Sequence, residues 1–310
     1  MRITKRQTAL AAVSACMLFW GFSFVSIKIA VAVFGPMTLG AVRFAIAVVF
    51  LFILKRIKAP DEKISREEIP LLAGAGITGV TLYFFFENNG VALIPASEAS
   101  IITAAIPVIT LIIESMKRSF RDIVIPGIGA LVSMTGVALV AGVSFALHGT
   151  AIGYLYLAGT CASWVAYCFL TRPLFDRHSR IFIVFWQSAI GFLGFLPFTF
   201  LEKSWRIFGT SAVSAPGAWV WGHVIFLGIF CSALGYWFYA LSLEVLGVSS
   251  SAVFINFIPV VSAIAGYFIL GERLLPLQIL GAVLVLAGVY LAIAVPQIAQ
   301  ARSKKTNSAG

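Results

Sequence analysis

The chain has 310 residues, of which 60% are hydrophobic and only 11% charged, with a mean hydropathy of +1.01. A soluble globular protein carries about 25% charged residues, so this composition excludes a water-solvated fold and predicts a surface that faces lipid. A net charge of +10 would suit a nucleic-acid partner. The basic residues, however, lie in short loops beside apolar stretches, which is how a membrane protein is oriented, and no nucleic-acid partner is expected.

Met1 to Arg6 is basic and an apolar run follows. Val13-Ser14-Ala15-Cys16 resembles a lipoprotein processing site, but the run continues to Ala30, past the short apolar core of a signal peptide. It reads as the first membrane helix. In all, ten apolar runs of roughly 18 to 23 residues are each long enough to cross a bilayer. Their approximate limits are 8–30, 37–54, 69–90, 96–115, 122–142, 151–171, 180–201, 218–241, 250–270 and 276–296. The longest polar stretch, Lys55 to Glu68, is too short for a separate domain. The basic tail, 297–310, is expected to be disordered. Cys16, Cys161, Cys168 and Cys231 all fall inside apolar runs without metal or redox spacing, so they read as small buried residues.

One pattern occurs twice at a constant offset of 152 residues. Ile106-Pro107-Val108 recurs as Ile258-Pro259-Val260. Gly129-Ala130, Gly136-Val137 and Leu139 recur as Gly281-Ala282, Gly288-Val289 and Leu291. The first two helices of each half align less closely, at an offset of 144 that pairs Trp20 with Trp164, Lys28 with Arg172 and Arg43 with Gln187. The difference fits a longer loop from Glu202 to Gly217.

Counting Lys and Arg outside the runs puts seventeen on one side of a ten-helix chain and three (Lys203, Arg206, Arg273) on the other. That bias predicts that both termini are cytoplasmic, in the cell's inner membrane. Five helices per half is an odd number, so the second half must enter from the opposite side. The expected fold is an all-α membrane protein of ten transmembrane helices, arranged as two inverted five-helix repeats, 8–142 and 151–296, followed by the tail. Such inverted repeats with interrupted helices at matching positions are a common build for secondary transporters.

Trp20-Gly21, Arg43 with the small residues after it, Pro95 to Ser100, Pro107, and Ile258-Pro259-Val260 leading to Gly271-Glu272-Arg273 occur in an order and spacing that resemble a known family. Each half is similar to the EamA domain of the drug/metabolite transporter superfamily, whose bacterial members have ten helices. The first half departs from the pattern, with Ser119-Phe120 where the second has the Gly-Glu pair. The resemblance implies export or exchange of a small metabolite, without fixing which.

No nucleophile–base pair, metal-ligand cluster or phosphate-binding glycine loop is legible, so neither enzyme activity nor a metal or cofactor is expected. Polar groups inside the membrane are the better candidates, because each is costly there unless paired or hydrated. Arg43 and Glu87 lie at similar depth; they read as a pair across a cavity, as a structural lock, or with Glu87 as a proton site. Asn88 and Asn89 either line a vestibule or bond between helices. Trp20 and Trp164, mid-membrane and at related positions, suggest pocket walls offering an indole N–H, with core packing as the alternative. Tyr83, Tyr167, Tyr236, Trp237 and Tyr239 extend the aromatic set, and Gln187 and Asn256 add amides. Pro107 and Pro259 each remove an N–H and are expected to free a carbonyl one turn earlier, making substrate contacts or flexing points. Lys28 is expected to snorkel, Glu114 to pair with Lys117 and Arg118, Glu98 to lie in a capped first turn after Ser97, and Glu272 to brace a helix end. His148, His178 and His223 are scattered.

These readings converge on a secondary transporter that moves an amino acid or related amphipathic metabolite between its halves by alternating access. Its partners are a small-molecule substrate and the lipid bilayer; proton coupling through Glu87 and facilitated diffusion fit equally. A lipid-acting membrane enzyme and a non-transporting scaffold or channel are the competing readings. No pattern in the chain specifies an oligomeric state.

Overall fold

The computed structural model describes residues 4–31, 33–93, 102–116, 120–140, 150–202, 217–265, 267–268 and 275–307. Among the described residues there is no strand, and nine helices are long and apolar enough to cross a bilayer. The fourth expected span is described only from residue 102. Pro95 to Ser100 with Glu98, Lys117 to Ser119, His148, Lys203, Arg206, the loop before Gly217 and Gly271 to Arg273 lie outside the described residues, as does the Lys28 side chain.

The helices are α1 (Lys5–Val31), α2 (Pro36–Lys58), α3 (Ile69–Gly76, Ile77–Leu82 and Tyr83–Leu93), α4 (Ile106–Ser115) and α5 (Phe120–Val140). The second half supplies α6 (Ala151–Thr171), α7 (Arg180–Glu202), α8 (Ala218–Leu246), α9 (Val248–Ala265) and α10 (Pro276–Asn307). α10 runs on through the expected disordered tail as far as Asn307. Val49, Ile53, Leu193, Phe200 and Trp219 are largely exposed, an apolar coat suited to hydrocarbon and not to water. All four cysteines are buried and free.

The duplicated glycines meet one another. A Cβ at Gly129 would lie 2.6 Å from the Gly288 carbonyl oxygen, and one at Gly288 would lie 2.5 Å from the Gly129 oxygen. Gly136 and Gly281 stand in the same relation, at 2.6 and 2.7 Å. The earlier glycine of one helix faces the later glycine of the other, so α5 and α10 cross antiparallel at backbone contact. Small residues permit such an approach in lipid, where packing replaces the hydrophobic drive between helices. Corresponding helices that meet antiparallel through corresponding residues relate the halves by a pseudo-two-fold axis in the membrane plane, and the fold is an inverted repeat.

Other pairings obey the same axis. α1 packs on α8 while its counterpart α6 packs on α3; α1 also packs on α9, as α6 does on α4; α2 packs on its own counterpart α7. Two bundles result, α1–α8–α9 and α6–α3–α4, each mixing both repeats. α3 and α8 both carry a π-helical stretch, Ile77–Leu82 and Leu227–Leu234, at equivalent depth. No feature of the sequence marks these stretches.

Pro107 and Pro259 act differently from expectation. Each lies in the first turn of a restarted helix, Ile106–Ser115 and Phe257–Ala265. A turn with Ala105 N–H donating to Ile102 O at 3.0 Å precedes the first, and a 3-10 stretch, Phe254–Asn256, precedes the second. At a helix start the missing N–H is not needed, so the break sits in the tighter turn and the proline opens the next segment.

Carboxylates clip the α2–α7 pair at both ends. Glu202, at the end of α7, accepts from Met37 N (3.2 Å), Thr38 N (2.8 Å) and Thr38 Oγ1 (2.8 Å) at the start of α2. Glu62, just beyond α2, accepts from Ser179 N at 3.0 Å, at the start of α7. Both are anions at helix N-termini, where the dipole favours them. His178, stacked on Phe182 with centroids 4.4 Å apart, lies between Glu62 (3.3 Å) and the buried Glu68 (2.8 Å). The scattered histidine of the sequence thus ties the loop after α2 to the loop before α7.

Two outcomes follow from this packing. Gly136→Ala places a methyl against the Gly281 backbone and should destabilise by about 1–3 kcal/mol, whereas Gly127→Ala, with nothing within 4 Å, should be neutral or slightly stabilising in a detergent thermal-unfolding assay. The second concerns acid. Hydrogen bonding from His178, then from the Ser65 N–H, lowers the Glu68 carboxyl from its usual 4.5 to about 2. A folded value below the unfolded one means a contribution that is complete above pH 4.5 and lost as pH falls toward 2. The wild-type thermal midpoint should drop across that interval and Glu68→Gln should flatten part of the drop; an equal drop in the variant assigns the acid sensitivity elsewhere.

Candidate functional site

Six of the aromatic residues singled out in the sequence converge between the two mixed bundles. Trp164 of α6 is the hub. Its ring centroid lies 5.4 Å from Trp20, 5.0 Å from Tyr83, 5.1 Å from Tyr167, 5.9 Å from Tyr236 and 5.2 Å from Tyr239. Most contacts are edge-on or tilted, the arrangements ring quadrupoles favour. Trp164, Tyr167, Tyr236 and Tyr239 are buried, while Trp20 and Tyr83 keep some exposure. Phe44 and Phe84, which no sequence signal marked, extend the cluster toward α2, with Phe44 5.8 Å from Tyr236 and 5.7 Å from Phe84.

The polar edges of these rings serve the fold. Trp20 Nε1 donates to the carbonyl of Cys231 at 2.9 Å, and Tyr236 OH donates to that of Gly79 at 2.7 Å. Both acceptors lie in the π-helical stretches of α8 and α3. Trp164 Nε1 points to Tyr239 OH at 3.4 Å. In this conformation both indole N–H groups are committed within the fold, and the cluster presents ring faces. Tyr167 OH is buried near Thr171 without a hydrogen bond of ordinary geometry.

Arg43 is buried in α2, seven residues from its start. Its Nε donates to Ser232 Oγ in the α8 π stretch at 2.8 Å, and its guanidinium carbon lies 4.9 Å from the Phe84 ring centroid and 5.7 Å from that of Phe44. Among the described residues Arg43 and Glu87 form no direct ion pair; Glu87 instead accepts from Tyr83 OH at 2.9 Å. The aromatic rings of Phe84 and Phe44 take the place expected for the carboxylate, through cation–π contact.

The 144-residue offset is visible in space. A Cβ at Gly228 would lie 3.0 Å from the Arg43 carbonyl oxygen, and one at Gly76 would lie 2.8 Å from the Gln187 oxygen. Arg43 against α8 and Gln187 against α3 are thus the same contact, one near each membrane face. Gln187 donates Nε2 to Thr171 Oγ1 at 3.0 Å. Asn88 donates to Pro36 O at 3.4 Å and lines a crevice beside Arg43, whereas Asn89 turns back to Phe85 O at 2.7 Å. Asn256 stands apart from the cluster's ring contacts: its Nδ2 donates to Ser133 Oγ of α5 at 3.0 Å, an interhelical tie. Among the described residues no group of His, Cys, Asp and Glu could hold a metal ion.

An inverted-repeat membrane protein with polar and aromatic groups gathered between mixed bundles is the class this geometry defines. The profile of the EamA-like transporter family matches it twice, over residues 7–142 and 151–294. The chain belongs to the EamA-like transporter family, and it is a multi-pass membrane transporter for a small molecule and not an enzyme. It is 30% identical to an uncharacterized transporter of Archaeoglobus fulgidus, over 89% of this chain and 95% of that one. It is 26% identical to a probable terminal-alkyne amino-acid exporter of Streptantibioticus cattleyicolor (93% and 94% covered). A probable amino-acid metabolite efflux pump of Salmonella typhimurium is 24% identical (89% and 91% covered). A solved crystal structure superposes with a TM-score of 0.74 at 19% identity, covering 93% of this chain and 97% of that chain, which is a likeness of fold.

Tyr236→Phe keeps the ring and leaves the Gly79 carbonyl without its donor. We expect a loss of about 1–2 kcal/mol in thermal unfolding and faster amide exchange across residues 77–83. Unchanged exchange there would show that the π stretch of α3 does not depend on this hydroxyl.

Proposed function

We propose that this transporter exports an amino acid or a related amphipathic metabolite by alternating access, with the aromatic cluster around Trp164 as the substrate's contact surface. The observation that carries this reading is the convergence of Trp20, Tyr83, Trp164, Tyr167, Tyr236 and Tyr239 from both repeats onto the seam between the bundles. Ring faces with a sparse set of amides and one buried cation suit an amphipathic zwitterion better than a multiply charged phosphate, which would need more buried basic groups. The names of the Streptantibioticus and Salmonella relatives support the same class.

In this reading the rocking bodies are α1–α8–α9 and α6–α3–α4, each drawn from both repeats, and not the two sequence halves. The turns before Pro107 and Pro259 absorb the backbone change, and the face bearing residues 55–68 and 172–180 is cytoplasmic, as are both termini. The membrane is the cell's inner membrane.

In proteoliposomes, wild type should move one or more amino acids with saturable kinetics, and Trp164→Ala should reduce flux at least about tenfold while remaining monodisperse. No saturable flux of any amino acid or small metabolite, with or without a pH gradient, would overturn the reading. Glu87→Gln separates the coupling modes: loss of gradient dependence with downhill flux retained assigns proton coupling to Glu87, and an unchanged gradient response removes it.

A further inference from the structure

Arg43 has a free edge. Its Nε is taken by Ser232, its planar face lies over Phe84, and no carboxylate reaches it among the described residues. Neither Nη atom has an acceptor among the described residues, and neither is sealed away from open space. A guanidinium in a membrane-spanning helix with four unfilled N–H donors on its two Nη atoms is costly unless something completes it. The open space is a crevice lined by Ile27, Val31, Pro36, Leu39, Gly40, Arg43, Phe84 and Asn88. Val31 ends α1 and Pro36 starts α2, so the mouth lies at the membrane face where those helices turn. Its volume is about 20 Å³, room for about one water-sized group.

We propose that Arg43 is the docking point for the carboxylate of the transported molecule, with the Asn88 amide beside it, near the α1–α2 face, which is the release end for an exporter. This rests on the transporter reading above and narrows it to carboxylate-bearing substrates. The planar fork of donors matches a carboxylate's two oxygens, and one cation balances one negative charge. The crevice has room for about one carboxylate oxygen and not a whole metabolite, so the rest of the molecule lies toward the aromatic cluster, which must part to hold it. At the equivalent position near the other face stands Gln187, an uncharged amide. The two ends of the path therefore differ in charge at one symmetric position: the substrate's anion meets a cation at one end and a neutral group at the other.

The test is ligand-induced thermal stabilisation of the full-length protein in detergent, with phenylalanine, leucine and methionine each as free acid, amide and methyl ester, and phenyl phosphate as a second anion. Wild type should bind at least one free acid about tenfold or more tightly than its amide and ester. Arg43→Gln, which makes the two ends alike, should bind the three forms equally, and Arg43→Lys should keep a reduced preference for the acid. An amide or ester that binds wild type as tightly as its acid overturns the proposal, as does tighter binding of phenyl phosphate or no binding of any acid. An acid preference retained in folded Arg43→Gln also overturns it; if that variant does not fold, the wild-type series and Arg43→Lys decide. Liposome flux separates the two claims: acid-selective binding without flux removes the transport reading and leaves the site. Flux of amides and acids alike removes the site and leaves transport.

Discussion

A π turn inside a membrane displaces backbone carbonyls from their usual partners, and lipid supplies no donor to replace them. This helix bundle answers from its own side chains. Tyr236 reaches the Gly79 carbonyl and Trp20 reaches the Cys231 carbonyl. The cluster's geometry is a by-product of that need: the donors must stand beside the two π stretches, and the stretches lie at equivalent depth in α3 and α8. The large rings carrying the donors then meet around Trp164. Satisfying the backbone and assembling an aromatic surface between the bundles are one event.

The same contacts set what can move. Gly76 and Gly228 let α3 and α8 seat closely on the Gln187 and Arg43 carbonyls and on the Cβ atoms of Ile190 and Ile46, so each bundle rests tightly on the α2–α7 pair. α2 and α7 are in turn clipped at both ends by Glu202 and Glu62. The self-symmetric pairs α2–α7 and α5–α10 form a frame between the mixed bundles, and in the proposed cycle those bundles tilt against it. At one face α9 and α4 touch, with Ser249 N donating to Glu114 Oε1 at 3.4 Å, a contact that the proposed cycle would have to break to open there.

Much of this was legible in the sequence, for physical reasons. Hydropathy and length mark spans reliably because lipid tolerates few polar backbones, and the expected third span, 69–90, coincides with the helix over Ile69–Gly90. The Gly129 and Gly281 series was visible because close approach in lipid needs small residues on both helices. Trp20 and Trp164 stood out as related mid-membrane positions, but core packing was an equal alternative for them, and nothing in the sequence separated cavity-facing tyrosines from lipid-facing ones. What escaped is what depends on three-dimensional partners. Nothing in the glycine-rich stretch from Gly74 to Gly79 distinguishes a π turn from an α-helix. Ser232 is one serine among many, yet it holds Arg43. Asn256 carried the same chemistry as Asn88, but α5 supplied Ser133 to it. The continuation of α10 to Asn307 was missed because a polar, basic tail with good helix formers such as Ala301 and Arg302 extends a helix already nucleated.

The contact between α5 and α10 also has a bearing on descent. It is isologous: Gly129 meets Gly288 as Gly281 meets Gly136, the form of interface a molecule makes with an identical copy of itself. A five-helix chain inserted in both orientations would dimerise through this surface without any new residue. Joining the two copies in one polypeptide frees each to drift, and the 152-residue register of the glycines against the Arg43–Gln187 mismatch records where it did and did not. The crossing has kept its ancestral likeness because a side chain on either helix would collide with the other's backbone. Arg43 and Gln187 carried no such restraint, and there the twins differ.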